Sequence, residues 1–184
     1  KADILYGIAE IYKLVTPTSD LYDATAATSG RTIFAKFFKG IKFLSANVAE
    51  VYIDYWHVDD TYIAAAVEPA FPGGAVWPDT PWELWVLMNK LVSEKKTAWS
   101  IDAADVLGVD MLDLTKGTSL PILASAYNGL KASNYIPPEL SGIVTQTEAS
   151  ARWKALGDWY TSKGHFWVSN GPYMFDKANP DALQ

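Results

Sequence analysis

Hydrophobic and polar positions along the 184-residue chain follow two periods, and the switches between them mark out its elements. The opening segment Lys1–Val15 sets Ile4, Ile8, Ile11 and Val15 on one stripe with Leu5 and Tyr12 beside it, which is the spacing of an amphipathic helix. Lys1 is a poor N-cap and Asp3 has first-turn chemistry, so this helix is expected to start inside a longer protein. Thr16–Gly30 is polar, small and turn-rich and reads as a surface loop. Arg31–Phe38 reads as a short helix or turn ended at Gly40. Period two then takes over: Ile41–Leu44 and Glu50–Trp56, separated by Ser45-Ala46-Asn47, predict a hairpin. In its second strand Val51, Ile53 and Tyr55 share one face, and Tyr52, Asp54 and Trp56 the other.

Helical spacing returns after Asp59-Asp60, which caps a helix from about Thr61 to Val67 that Pro69 stops. A Pro- and Gly-rich loop, Pro72-Gly73-Gly74 through Pro78, follows. Thr80, Pro81 and Glu83 read as N-cap, first helical residue and capping-box partner of a helix to about Glu94, with Leu84, Leu87, Met88 and Leu91 inward. Ser100–Leu107 reads as a short helix, and Val109–Leu114 as a turn burying Met111 and Leu112. A helix over Ser119–Lys131 carries Leu123, Tyr127 and Leu130 at core spacing, with Pro121 in its first turn. Tyr135-Ile136-Pro137-Pro138 is a stiff extended connector. Thr145 and Glu148 form a capping box for a helix to about Ser162 that buries Ala149, Trp153, Leu156 and Tyr160 and stops at Gly164. The last stretch, His165-Phe166-Trp167-Val168-Ser169, has the pattern of a half-buried strand. It breaks at Asn170-Gly171-Pro172, a rigid corner, and resumes as the short apolar run Tyr173-Met174-Phe175.

A hydrophobic share of 49% with 20% charged residues is that of a globular chain and excludes a disordered tail. Aromatic residues at 14%, among them eight Trp and ten Tyr, stand out. Such rings can line a surface for sugars or peptides, although their commoner role is to fill a core. A net charge of -6 with scattered Lys and Arg argues against nucleic-acid binding. The lack of cysteine excludes disulfides, a thiolate metal site and a Cys nucleophile. No apolar run reaches the roughly 20 residues of a membrane helix.

The constellations that carry chemistry are weak. His57 and His165 stand in no metal-ligating spacing, no Gly-x-Ser-x-Gly elbow is present, and Gly73-Gly74 lacks the residues of a phosphate loop. Asp54, between Tyr52 and Trp56, is the carboxylate most like one of a glycosidase pair, whereas Asp59-Asp60 has the plainer role of a cap. Trp77, Trp82 and Trp85 gather round one helix start, where a buried corner is favoured over a stacking platform. No catalytic residue, metal ligand or cofactor site is assigned.

Three segments bring a family into view. His165–Tyr173 resembles the "vSNGPY" corner of extracellular solute-binding proteins of family 5, the large peptide-, nickel- and oligosaccharide-binding receptors of ABC importers. Ala2-Asp3-Ile4-Leu5-Tyr6 resembles that family's "S-A-D-D-V-x-Y" helix start, without the Ser and with Ile4 for the second Asp. Glu50–Asp60 is similar to the "evYvDYwHfD" strand of archaeal and thermophilic branches, which Pro81-Trp82-Glu83 and Ile136–Leu140 also fit. The matches run from end to end in the family's order.

Members of that family run to several hundred residues, so the resemblance implies that residues 1–184 are a single lobe or a fragment of a larger receptor. The implied fold is α/β (mixed α+β), part of a two-lobed periplasmic-binding-protein-like architecture, here with about five helices and a small mixed sheet. The implied function is substrate binding for an ABC importer, outside the cytoplasm, in a receptor anchored to the membrane. Its partners would be a peptide or oligosaccharide ligand, the remaining part of the receptor and the transporter permease, with no enzymatic activity, cofactor, metal or nucleic acid. A separated piece would expose apolar surface and is expected to self-associate or keep contact with the missing parts. The family offers no shared ligand motif to carry over; Tyr55, Trp56, Trp167 and Asn170 are the ligand-binding candidates because they flank the strand segments nearest the corner. Core packing and turn formation compete for the same side chains. Alternatives to the transport reading are a surface or filament-forming structural domain and, lower in rank, a carbohydrate-active enzyme relying on Asp54.

Overall fold

The computed structural model describes residues 1–45, 48–66, 80–168 and 174–176. Among them lie seven α-helices, one 3-10 turn and one two-stranded sheet, so the mixed α+β class expected from the sequence holds. The sheet is antiparallel rather than mixed, because its two strands are neighbours in a hairpin. Two compact units divide the chain, Lys1–Asp79 and Thr80–Gln184.

The first unit begins with α1 (Ala2–Val15), which buries Tyr6, Ile8, Ile11 and Leu14. Leu14 rather than Val15 completes the buried stripe, a shift of one residue from the expected face. Glu10 is also fully buried on this helix, its carboxylate accepting from Lys13 Nζ at 2.8 Å. The loop that follows is organised by Asp23, whose carboxylate accepts the Thr25 and Ala26 amides at 2.8 and 3.0 Å, and by the buried Arg31 guanidinium, which donates to the Ala26 carbonyl. Thr28 caps α2 (Ser29–Phe37).

The chain then passes from α2 straight into β1 (Phe38–Phe43), which pairs with β2 (Ala49–Ile53) in the register Ile41↔Val51 and Phe43↔Ala49. Gly40 is therefore not a helix stop but a strand residue, placed where the register shifts after Phe38. The Asp54 amide donates to the Phe37 carbonyl at 2.8 Å, carrying the pairing one step past β2. Ile8, Ile11 and Phe34 form the core of the unit, with Ile4, Phe38, Ile41 and Val51 packed against it. The inward row of β2 thus faces the helices, as alternation demanded. Asp59 caps the short helix α3 (Asp60–Ala65). Ala46 and Asn47 of the hairpin turn, Val67 and the Pro72–Pro78 loop with Trp77 lie outside the described residues.

In the second unit α4 (Trp82–Ser93) is buried nearly all round, from Trp82 through Asn89 and again at Leu91 and Val92, and is its central helix. Leu84, Leu87, Met88 and Leu91 are inward as expected, but the capping box is not formed. Pro81 takes the N-cap position with extended backbone, which puts Glu83 one place too early for a box. Its carboxylate instead receives Arg152, with nitrogen-to-oxygen distances of 2.8–3.0 Å.

Helix α5 (Ile101–Leu107) is capped by Ser100 and ends at Gly108 with φ 67. Met111 is 41% exposed, contrary to expectation, and its backbone is held in an isolated parallel bridge to Ala98. Helix α6 (Leu120–Ala132) buries Leu123, Tyr127 and Leu130 as its spacing required, and a 3-10 turn at Pro138–Leu140 ends the connector behind it. Helix α7 (Gln146–Lys163) buries Ala149, Trp153 and Leu156 and stops at Gly164 with φ 76.

The capping box of α7 is present in full: the Thr145 amide and hydroxyl donate to Glu148 Oε2, each at 2.8 Å, and the Glu148 amide donates to Thr145 Oγ1 at 3.2 Å. The amide and hydroxyl bonds from Thr145 hold the Glu148 carboxyl below its usual value. A depressed folded-state pKa gives a contribution present above the unfolded value and lost as pH falls through the folded one. Hydrogen exchange at the Thr145 amide is therefore expected to quicken, relative to its intrinsic rate, on acidification through that range. Glu148→Gln, which keeps an acceptor without titrating, should lose this pH dependence; equal acid sensitivity in both proteins would contradict the assignment.

The closing stretch departs most from expectation. Residues 165–168 and 174–176 form no strand, since His165 and Phe166 are both buried and period two is broken. Phe166 stacks on Tyr160 with centroids 4.2 Å apart, and its amide donates to the Leu114 carbonyl at 3.0 Å. The Asn170-Gly171-Pro172 corner lies outside the described residues.

Candidate ligand-binding surface

The sequence candidates separate into different roles. Tyr55 lies on the inward row of the first unit, half-buried, its ring edge-on to Phe37 at 5.3 Å. That is a packing position, and it braces the backbone from which the neighbouring Trp56 projects. Trp56 is 81% exposed. Trp167 belongs to the second unit and is 45% exposed, its ring 6.2 Å from that of Phe175. The Trp167 amide donates to His165 Nδ1 at 3.1 Å, while His165 Nε2 lies 3.2 Å from the Phe175 carbonyl. His165 Nδ1 is thereby the acceptor and Nε2–H the donor, so the imidazole ties residues 165–167 to Phe175. Asn170 lies outside the described residues. Trp82 and Trp85 are buried, which makes their corner a piece of core as favoured above.

The outward row of β2 and its continuation, Tyr52, Asp54 and Trp56, was legible as one face, and the structure shows each of the three exposed. Tyr52 is half exposed; its hydroxyl donates to Glu50 Oε2 at 2.7 Å. That bond, with smaller contributions from burial and from the Glu50 charge, raises the phenol above its ordinary pKa. The Asp54 carboxylate faces Lys39 Nζ at 3.7 Å, and Lys42 stands opposite Glu50 in the ladder. Beyond Trp56 the backbone is pinned: His57 Nδ1 accepts the Asp59 amide at 3.1 Å, and the His57 ring lies 4.5 Å from that of exposed Tyr62. Asp59 accepts the hydroxyl and amide of Thr61 at 2.7 and 2.9 Å, which lowers its pKa and bears out its reading as a cap. Tyr52 and Tyr62 were not singled out from the sequence; for Tyr52 the signal was its shared parity with Trp56.

Among the described residues no group of His, Asp and Glu suits a metal ion, and no helix is long and apolar enough to cross a membrane. No protein-family model matches the chain, and no curated protein matches it.

Proposed function

We propose that the chain is part of the substrate-binding component of an ABC importer, taking up an oligopeptide or oligosaccharide outside the cell by closure of two lobes. The support is the ordered resemblance of Ala2–Tyr6, Glu50–Asp60 and His165–Tyr173 to family 5 receptors, joined to one observation within the longest of these matches. Trp56 stands 81% exposed on a backbone braced by Tyr55 and by the His57–Asp59 bond. A large ring held in the open adds little to a core and is placed to stack on a ligand. Ligand bridging two lobes would stabilise the closed state that the permease recognises, with the receptor held at the membrane by parts beyond these residues. Binding of this kind needs no catalytic residue.

The same exposed rings favour a second reading, a surface or filament-forming domain in which Trp56, Val58 and Tyr62 pair with neighbouring copies. Native mass spectrometry of the purified chain separates the two. A mass increment matching a peptide or a sugar oligomer is the expected result. Bare polypeptide present only as multimers, with no thermal shift from any member of a peptide and oligosaccharide panel, would reject the transport reading.

A further inference from the structure

We infer that the outward face of the β1–β2 hairpin and its continuation to Trp56 is a platform for a neutral oligosaccharide rather than a peptide. The inference rests on the importer reading and narrows its ligand. A sheet face offers side chains, since the main-chain hydrogen bonds lie in the plane of the sheet. Peptide capture by strand addition would use the edges of the hairpin rather than this face, and capture at charged termini needs net charge. Here the charged side chains of the face cancel: Lys39 with Asp54 at 3.7 Å, and Lys42 opposite Glu50. The face is electrically balanced and so favours an uncharged ligand over a charged one.

Its chemistry also fits a sugar in detail. A pyranose has an apolar face of C–H groups and a rim of hydroxyls that both donate and accept. Tyr52 and Trp56 supply exposed rings for the first, while Asp54 and Glu50 as acceptors and Lys39 and Lys42 as donors supply the second. Asp54 falls between the two rings in the alternation, so stacking and polar groups interleave. Four steps of chain place the Cα atoms of Tyr52 and Trp56 at most ~14 Å apart, a reach that a short run of linked sugars can span. The 2.7 Å bond from the Tyr52 hydroxyl to Glu50 holds that ring before any ligand arrives, which lowers the ordering cost of binding.

Calorimetric titration of the 184-residue chain with gluco-, manno-, xylo- and galacto-hexasaccharides, and with neutral and charged hexapeptides, tests this. At least one hexasaccharide is expected to bind, and Tyr52→Ala and Trp56→Ala should each weaken it roughly tenfold or more. Affinity should be unchanged between about 50 and about 500 mM salt, where a charged ligand would weaken. Val106→Ala, at a side chain 87% exposed in the other unit, should have no effect. Both platform side chains are solvent-facing, so matching circular dichroism melts will show that the variants fold. Hexasaccharide binding untouched by either substitution, or binding of peptides alone, overturns the platform and leaves the importer reading standing. Loss of self-association without any sugar binding in the parent chain assigns the face to a second copy and overturns it too. Failure of every sugar and every peptide to bind defeats both readings.

Discussion

Trp153→Ala is expected to lower the stability of the second unit by about 3–5 kcal/mol, a loss measurable by denaturant titration followed by circular dichroism. Trp153 is fully buried, edge-on to Trp82 at 5.7 Å and beside Tyr127 at 6.3 Å. Its indole N–H donates to the Tyr135 carbonyl at 2.9 Å, which ties α7 to the connector after α6. Truncation opens a cavity among rigid rings that cannot collapse into it and leaves that carbonyl without its indole donor. Trp153→Phe, which keeps much of the volume and loses the N–H, should cost markedly less. Equal losses for the two variants would show that the hydrogen bond, not the packing, dominates.

Gly157→Ala should destabilise the same unit by about 2–4 kcal/mol, against the usual sign of this exchange in a helix. Within a helix alanine is normally better than glycine by roughly 1 kcal/mol. At this position an added Cβ would lie 1.9 Å from the Tyr127 hydroxyl oxygen and 2.8 Å from its Cζ, so the ring must move. That movement breaks the 2.9 Å bond from Tyr127 to the Trp153 carbonyl and disturbs a ring whose centroid is 5.8 Å from that of Phe166. Chemical denaturation of the single variant decides the sign, and a gain in stability would show that Tyr127 has room to retreat. Because Trp153, Tyr127 and Gly157 share partners, the two substitutions are expected not to add.

These residues also show how far the sequence could be read. Helices α1, α6 and α7 were legible because local rules agree there with the tertiary fold: one apolar stripe, a capping box at Thr145 and Glu148, and a glycine stop at Gly164. The alternation Val51, Ile53, Tyr55 against Tyr52, Asp54, Trp56 likewise sorted the hairpin's faces correctly. Reading failed where a distant partner decides. Nothing near Glu83 announces Arg152, 69 residues away, so local rules alone make a cap of what is a tertiary ion pair. Gly40 has the look of a helix stop, yet it sits within a strand because Phe38 is drawn on to the core beside Phe34, their rings stacked at 4.7 Å. In the closing stretch the burial of His165 depends on Trp159 and Phe175, which the local pattern does not encode. Among the candidate binding residues, parity alone would have exchanged Tyr55 for Tyr52.

The direct passage from α2 into β1 couples the phase of a helix to that of a strand. A single residue added between Phe37 and Phe38 would rotate every following side chain of β1 by half a turn, driving Lys39 and Lys42 towards Ile8 and Ile11 and the apolar residues into water. The hairpin therefore cannot be re-aimed by lengthening its approach. Whatever diversity this surface acquires must come by exchange of side chains at constant length, as on a printing drum whose type can be swapped but whose axle cannot slip.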